Sequence, residues 1–193
     1  MYKIGITGGI GAGKTTVCTI FKALGIPVYH ADTKAGQLMD IDLELRDLLQ
    51  GYFGRDVYRS GALDRRRLAE IIFNDKTALE KVNSWVHPVV ARDFEHWCTL
   101  QTSPYVLEEA AIIFECNAAH RFDKTILVTA PDAVRIERVC ARDLSTPEMV
   151  RERMANQWPE EKKIAMADYV IYNDYYQLVT PQVLEIHRQI LRN

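Results

Sequence analysis

The sequence lacks most of the features that mark a specialised class of protein. Its four cysteines, Cys18, Cys98, Cys116 and Cys140, are scattered without a CxxC pair, so neither a zinc site nor a redox motif is encoded. Its five histidines show no HExxH or other metal-binding spacing. No apolar run approaches the roughly 20 residues of a membrane span, and no secretory leader is recognisable. We therefore expect a cytoplasmic protein with reduced thiols and no membrane partner.

The chain also lacks a large excess of charge of either sign. Its 193 residues carry a formal net charge of −2. This balance excludes the broad basic surface of proteins whose main partner is nucleic acid. With 48% hydrophobic and 26% charged residues, the composition suits one globular core with modest insertions. Any site that binds an anion must therefore be local.

Short apolar runs bounded by turn signals predict five strands. They cover residues 2–7, 27–30, 105–107, 125–129 and 169–172. Helix-like patterns separate them, and this alternation implies a parallel sheet with helices on both faces. The expected fold class is therefore α/β, with ligands bound at the carboxyl ends of the strands.

The predicted strands are unevenly spaced, and two long excursions leave the sheet. Roughly 75 residues separate the second strand from the third, far more than a crossover helix needs. Helix-like patterns at 41–53, 64–74, 77–85 and 88–100 predict a helical subdomain there. The second excursion, residues 132–167, is rich in charged residues. It is either a mobile lid or a pair of solvated surface helices, and composition alone favours the helices.

Residues 8–15 read GGIGAGKT and fit the phosphate-loop pattern G-x-x-x-x-G-K-[ST]. The segment follows a predicted strand and precedes a helix-like pattern, so its context fits as well. Glycines let backbone N–H groups point at phosphates, and the helix N-terminus adds a positive dipole end. A glycine-rich turn without a ligand is the alternative.

Each residue of this loop has an expected role with ATP and Mg²⁺. Lys14 is expected to bridge the β- and γ-phosphates, Thr15 to bind the metal through its hydroxyl, and Thr16 to serve the α-phosphate. The nucleotide contacts expected from the loop are Gly11, Ala12, Gly13, Lys14, Thr15 and Thr16.

Acidic residues follow two of the predicted strands. Asp32 comes just after the second strand, where its carboxylate can accept the proton of an alcohol or cap the next helix. Glu108 and Glu109 end the third strand, where an acid can hold a Mg²⁺-bound water. A surface pair is the alternative for these glutamates.

Three arginines in the second excursion are spaced three and four residues apart. Arg135, Arg138 and Arg142 would share one face of a helix and reach toward phosphates. Pairing with Glu137 and Asp143 is the alternative. Phosphoryl transfer requires neutralisation of charge and exclusion of water, and this favours the first interpretation.

Taken together, these stretches resemble the dephospho-coenzyme A kinases over nearly the entire chain, in the family's order. The matching positions are residues 7–14 (TGGIGAGK), 31–32 (AD), 61–65 (GALDR), Leu68, Phe73, 87–88 (HP), 112–115 (IIFE), Arg138, 142–143 (RD), Arg153, Gln157, 167–168 (AD) and Asn173. The motifs inside the helical insertion are far more specific than a phosphate loop alone.

The resemblance implies an adenylate-kinase-like, five-stranded core with a helical insertion and a closing lid. Residues 1–30, 104–134 and 168–193 would form the nucleotide-binding core, 31–103 the coenzyme-A-binding subdomain, and 135–167 the lid. The implied substrate is dephospho-coenzyme A, and we expect a monomer or weak homo-oligomer.

The same resemblance implies residue roles. Asp32 would be the general base, acting with Lys14 and Arg138. Arg142 and Asn173 would lie near the adenine of ATP. The residues implied for acceptor binding are Thr7, Asp32, Asp64, Arg65, His87 and Glu109.

Three features depart from the family's usual pattern. His30 stands where an acid often precedes the Ala-Asp pair, and Arg135 takes a place often held by Gln. Glu109-Ala110-Ala111 replaces a stretch with Asp and a final Pro. None of these changes removes a group that the chemistry needs.

Two other functions stay open from the residues. A different small-molecule kinase, for nucleosides, nucleotides, shikimate or gluconate, would share everything except the acceptor site, and the insertion motifs argue against it. A nucleotide-dependent switch would bind and slowly hydrolyse ATP or GTP. The sequence has no [NT]-K-x-D guanine signature, and the lid arginines favour transfer.

Overall fold

The structure, a computed structural model, describes residues 1–59 and 61–192, with only the backbone of Phe73 and Asn74. The match at Phe73 therefore falls on a side chain outside the described residues. The chain forms two compact units, one of Met1–His30 with Gln101–Asn193 and one of Ala31–Leu100. None of the helices in the described ranges is long and apolar enough to cross a membrane.

The described residues include seven strands and nine α-helices. The strands are β1 Tyr2–Thr7, β2 Val28–His30, β3 Tyr58–Arg59, β4 Ala62–Leu63, β5 Tyr105–Glu109, β6 Lys124–Thr129 and β7 Tyr169–Tyr172. The helices are α1 Lys14–Ala23, α2 Ala31–Ile41, α3 Leu43–Phe53, α4 Arg65–Asn74, α5 Lys76–Thr99, α6 Asp132–Asp143, α7 Pro147–Ala155, α8 Glu160–Met166 and α9 Val179–Arg192.

The first unit is built on a five-stranded parallel sheet in the order β2-β5-β1-β6-β7. This confirms the five predicted strands and the α/β fold class. β1 lies at the centre, between β5 and β6, so the loop that leaves its carboxyl end begins in the middle of the sheet edge. Parallel α/β sheets bind their ligands at this edge.

The core of the first unit lies between this sheet and helices α1 and α9. Successive residues of β1 and of its neighbours β5 and β6 are buried, as expected for strands covered on both faces. The buried apolar residues from these elements include Ile4, Ile6, Leu107, Ile126, Val17, Phe21, Val183, Ile186 and Ile190. Phe21 meets Tyr105 edge to face, with ring centroids 6.4 Å apart. This packing fixes α1, and with it the loop that precedes α1.

The second unit contains helices α2 to α5 and the antiparallel β3–β4 hairpin. Asp42 caps α3 by accepting a hydrogen bond from the Leu45 N–H, and Asp64 caps α4 in the same way from the Arg67 N–H. α2 begins at Ala31, before the helix start at Thr33 that the capping alternative for Asp32 predicted. Asp32 therefore lies in the first turn of a helix and does not act as the N-cap of a helix beginning at Thr33.

The expected break at Pro88 is wrong, because α5 runs unbroken through Pro88. A proline removes one backbone hydrogen bond, and here it lies on the exposed face of the helix, where water replaces the lost partner. The opposite face is buried along its whole length, through Ala78, Val82, Val86, Val89, Val90, Phe94 and Cys98. Burial of this stripe outweighs the local cost of the proline.

The second excursion folds as three helices, α6, α7 and α8, rather than two. Thr146 caps α7, with Pro147 at its first position. α6 and α8 are not purely solvated, because Arg135 is 3% exposed and Lys163 is fully buried. The excursion belongs to the same compact unit as the sheet.

Candidate functional site

The phosphate loop joins β1 to α1 and is already folded. Lys14 Nζ donates to the carbonyl of Gly8 at 2.9 Å, and the N–H of Ala12 bonds the carbonyl of Gly9. Gly13 has a left-handed φ of 94°, and a Cβ there would lie 2.2 Å from Asn173 Nδ2. Only glycine fits this position.

The N-terminus of α1 is arranged to receive an anion. No described side chain caps it, and its first turn has no acidic residue. The first N–H groups of a helix have no partner within the helix, and the macrodipole adds partial positive charge there. Thr15 and Thr16 are both exposed at this helix start. A phosphate group is the natural ligand for such a site.

Asn173 and Arg138 lie against the same loop. The Asn173 amide donates to the Ala12 carbonyl at 2.9 Å, and Arg138 Nη2 lies 3.4 Å from Asn173 Oδ1. The Arg138 guanidinium also lies 4.4 Å from the centroid of the Tyr175 ring. Sequence reasoning missed Tyr175. The sequence feature that could have identified it is an aromatic residue shortly after the end of β7 and close to Asn173 along the chain.

Arg135 does not reach toward phosphates, as its place in the arginine triplet suggested. Its Nε donates to the Ile10 carbonyl at 2.9 Å, and its Nη1 lies 3.1 Å from Glu160 Oε1. The Ile10 N–H in turn bonds Gln157 Oε1 at 2.9 Å. Arg135 and Gln157 therefore hold the phosphate loop in place from the α6–α8 region.

Glu160 is the centre of a buried charge network. Besides Arg135, its carboxylate contacts Lys163 Nζ at 2.5 Å and accepts from the Thr129 hydroxyl at 2.7 Å. Lys163 Nζ lies 4.0 Å from Glu115 Oε1, and the same oxygen accepts from the N–H of Trp158 at 3.2 Å. Buried charges persist only when paired. Glu160 therefore stabilises two buried cations at once.

Replacing Glu160 by Gln is expected to lower the free energy of unfolding by about 3 kcal/mol, because it leaves two buried cations with insufficient negative charge. Urea denaturation measures this loss. Glu161→Gln is the matched control, since Glu161 is exposed, and we expect it to change stability by less than about 0.5 kcal/mol. Equal unfolding midpoints for the two variants would contradict this account of the network.

The glutamates at the end of β5 have different environments. Glu108 is 3% exposed and pairs with Arg121 at 3.1 Å, so its role is structural. Glu109 Oε2 lies 2.9 Å from His30 Nδ1, and His30 Nε2 lies 2.8 Å from Lys22 Nζ. Because an ammonium group only donates, Nε2 accepts from Lys22 and the proton on Nδ1 is donated to Glu109. His30 thus orients the carboxylate of Glu109.

Glu109 lies beside the end of β1, because it pairs with Ile6 in the β1–β5 register. Burial raises the pKa of Cys18, in α1, to about 12, and the charge of Glu109 adds to this rise while Lys22 and Lys14 oppose it. Cys18 therefore stays a neutral thiol.

Thr7 ends β1 immediately before the loop. It is fully buried, and its hydroxyl has no hydrogen-bond partner among the described residues. An unsatisfied buried hydroxyl costs free energy unless a ligand or water meets it. The hydroxyl is thus available to a ligand at the carboxyl end of the central strand.

Arg142 is held in a separate cluster at the end of α6. Its Nε lies 2.7 Å from Asp143 Oδ1, and Arg153 contacts the other oxygen at 2.9 Å. Hydrogen bonds from Arg142, and then from Arg153, hold the pKa of Asp143 far below its usual range. The alternative pairing of Arg142 with Asp143 is therefore observed.

Within the second unit, Asp64 and Arg65 form part of a polar cluster. Asp64 pairs with Arg59 at 3.3 Å, and Arg65 contacts both Asp40 at 2.5 Å and the Gly36 carbonyl at 2.8 Å. Sequence reasoning missed Asp40, which also accepts from the Leu63 N–H at 2.9 Å. That backbone hydrogen bond and Arg65 lower the pKa of Asp40.

Asp32 and His87, the other two residues expected to meet the acceptor, lie on different helices of the second unit. Asp32 is the second residue of α2, two residues along the chain from the end of β2. His87 is half-buried in the middle of α5.

Oxygen donors for a metal ion are present beside the phosphate loop. The described residues contain no group of three or more His, Cys, Asp or Glu side chains able to hold a metal ion. Mg²⁺ needs no such group, because it prefers oxygen ligands and usually keeps several waters and phosphate oxygens. The Thr15 hydroxyl and the Glu109 carboxylate fit this chemistry.

Comparison with known proteins gives one consistent result. Residues 2–177 match the family model described as dephospho-CoA kinase. A dephospho-CoA kinase of Porphyromonas gingivalis is 42% identical over 187 residues, which cover 96% of this chain and 93% of the relative.

Two solved structures share the fold over nearly the whole length of both chains. A Thermus thermophilus protein superposes with a TM-score of 0.84 at 32% identity, covering 99% of this chain and 96% of the other. The dephospho-CoA kinase of Campylobacter jejuni superposes with a TM-score of 0.71 at 26% identity, covering 98% and 97%.

Proposed function

The chain belongs to the dephospho-coenzyme A kinase family, and we propose that it transfers the γ-phosphoryl group of ATP to the ribose 3′-hydroxyl of dephospho-coenzyme A. The products are coenzyme A and ADP, and the reaction is the last step of coenzyme A biosynthesis. The observation that carries this proposal is the family match over residues 2–177, together with a folded phosphate loop at the start of α1, which no described side chain caps.

ATP occupies the phosphate loop in this proposal. Gly11 to Thr16 bind its phosphates, with the N–H groups of Ala12 and Thr16 kept in their bonds to the carbonyls of Gly9 and Gly13. Lys14 exchanges its bond to the Gly8 carbonyl for the β- and γ-phosphate oxygens. Arg138, which lies against the loop through Asn173, neutralises charge on the transferred group. Arg142 and Asn173 border the adenine, as the family resemblance implies.

Thr15 and Glu109 would hold Mg²⁺, Thr15 through its hydroxyl and Glu109 through a bound water. The metal would supply charge neutralisation for the phosphates. His30 supports this arrangement by holding one oxygen of Glu109.

Five residues are proposed to bind the acceptor. Asp32 accepts the proton of the 3′-hydroxyl, Thr7 offers its buried hydroxyl, and Asp64, Arg65 and His87 bind the rest of the molecule. Asp64 and Arg65 are supported by their contacts with Arg59 and Asp40, which limit the positions their side chains can adopt.

A panel of acceptors tests the proposed substrate. The purified protein is incubated with Mg²⁺-ATP and, in parallel, with dephospho-coenzyme A, shikimate, gluconate or nucleosides, and ADP release is followed. We expect rapid ADP release with dephospho-coenzyme A and with none of the other acceptors. Faster release with another acceptor would leave a phosphate-loop kinase with a different substrate, and equal slow release in every case would favour a nucleotide switch.

A further inference from the structure

The loop after β7 holds a tyrosine in an unfavourable backbone conformation. Tyr175 has a φ of 71°, in the left-handed region that bulky side chains rarely adopt, although 65% of its surface is exposed. Asp174 fixes the loop, because its Oδ1 accepts from the N–H groups of Tyr176 at 3.0 Å and Gln177 at 2.9 Å. A strained residue in a firmly built loop is a reason to look for a function.

Tyr175 touches Arg138 in two ways. The guanidinium carbon lies 4.4 Å from the centroid of the ring, within the range of a cation–π contact. Arg138 Nε also lies 3.2 Å from the tyrosine hydroxyl, which accepts its hydrogen bond. The guanidinium is therefore held by contacts with both the ring and the hydroxyl of Tyr175.

The other edge of the Arg138 guanidinium points toward the phosphate loop. Nη2 lies 3.4 Å from Asn173 Oδ1, and Nη1 is buried without a hydrogen-bond partner among the described residues. Nη1 would lie 3.9 Å from a Cβ built on Gly13. A buried cationic donor without a partner, beside the start of α1, is arranged to meet an anion.

We propose that Tyr175 is a positioning residue, which holds the Arg138 guanidinium against the phosphate loop in the orientation that binds the phosphates of ATP. Tyr175 acts through Arg138 and does not itself contact the phosphates. The inference rests on the proposed function, in which Arg138 neutralises phosphate charge. It also gives a reason for a tyrosine at a position where glycine or asparagine would adopt the backbone conformation more easily.

A double-mutant cycle tests this proposal. The wild type, Tyr175→Leu, Arg138→Met and the double variant are compared by kcat/KM for ATP and by calorimetric ATP binding. Loss of a cation–π contact and one hydrogen bond is expected to lower kcat/KM for ATP about 10-fold in Tyr175→Leu. In the Arg138→Met background the same change is expected to have less than about a 2-fold effect, because the residue it acts through is gone.

Three further variants separate the ring from its surroundings. Tyr175→Phe keeps the ring and is expected to stay within about 3-fold of the wild type. Tyr176→Leu is the control, since Tyr176 is 92% exposed, and its kinetics should not change. Tyr175→Gly relieves the backbone strain, so it should melt within about 2 °C of the wild type while losing as much activity as Tyr175→Leu.

Two results would overturn the proposal. One is an equal effect of Tyr175→Leu with and without Arg138, and the other is a loss in Tyr175→Phe as large as in Tyr175→Leu. Failure of the proposed function looks different. In that case the wild type would transfer no phosphoryl group to dephospho-coenzyme A, whatever the effect of Tyr175 on ATP binding.

Discussion

Replacing Asp32 by Asn is expected to reduce kcat about 10²- to 10⁴-fold, the range contributed by a general base in proton transfer. Asn keeps the size of the side chain but cannot take the proton of the ribose hydroxyl. ATP affinity, measured by calorimetry, is expected to stay within about 2-fold of the wild type, because no nucleotide contact is assigned to Asp32. The large loss should therefore appear in the chemical step alone.

Asp42→Asn is the matched control for this variant. Asp42 lies in the same unit and caps α3 through the Leu45 N–H, and Asn caps helices as well as Asp does. Its turnover is expected to match the wild type. Unchanged turnover in Asp32→Asn would eliminate Asp32 as the base, and a parallel loss in Asp42→Asn would point to damage of the helical unit.

Replacing Lys14 by Met is expected to lower kcat roughly 10²- to 10³-fold, the cost of removing one preorganised group that stabilises charge in the transition state. ATP binding should weaken too, because the ammonium meets the β- and γ-phosphates before the reaction as well as during it. Met retains the length of the side chain, so the fold of the loop should persist. Steady-state kinetics with varied ATP measure both effects.

Lys162→Met is the control for the loss of a lysine. Lys162 lies in the same unit, and its ammonium covers the ring of Trp158 at 3.1 Å. Its kinetics are expected to stay close to those of the wild type. If Lys14→Met kept wild-type turnover, the loop would not hold ATP in the manner proposed.

The sheet and the phosphate loop follow from the sequence because their signals are local. Runs such as Tyr2–Thr7 and Tyr169–Tyr172 are predominantly apolar, as is typical of strands in a parallel sheet covered by helices. The glycines and Lys14 of the loop have the fixed spacing that is typical of a phosphate-binding loop. Local patterns were less informative in the second unit. There, α5 continues past Pro88 because one face of the helix is buried.

The polar contacts around the loop could not be read from the sequence, because they join residues far apart along the chain. Ile10 bonds Gln157 across 147 positions, and Arg135 bonds Ile10 across 125. The three-and-four spacing placed Arg135 and Arg138 on one helix face but gave no sign that one would be buried with Glu160. Such partners become neighbours only when the sheet brings α6 and α8 to the loop.

The central claim is transfer to the 3′-hydroxyl of dephospho-coenzyme A, and two acceptor analogues test it directly. The wild-type protein is supplied with Mg²⁺-ATP and either the 2′-deoxy or the 3′-deoxy analogue, and the products are analysed by mass. We expect the 2′-deoxy analogue to gain one phosphoryl group, matched by one ADP, and the 3′-deoxy analogue to stay unmodified. Two results would contradict the account. One is phosphorylation of the 3′-deoxy analogue, and the other is no phosphorylation of either analogue or of dephospho-coenzyme A itself.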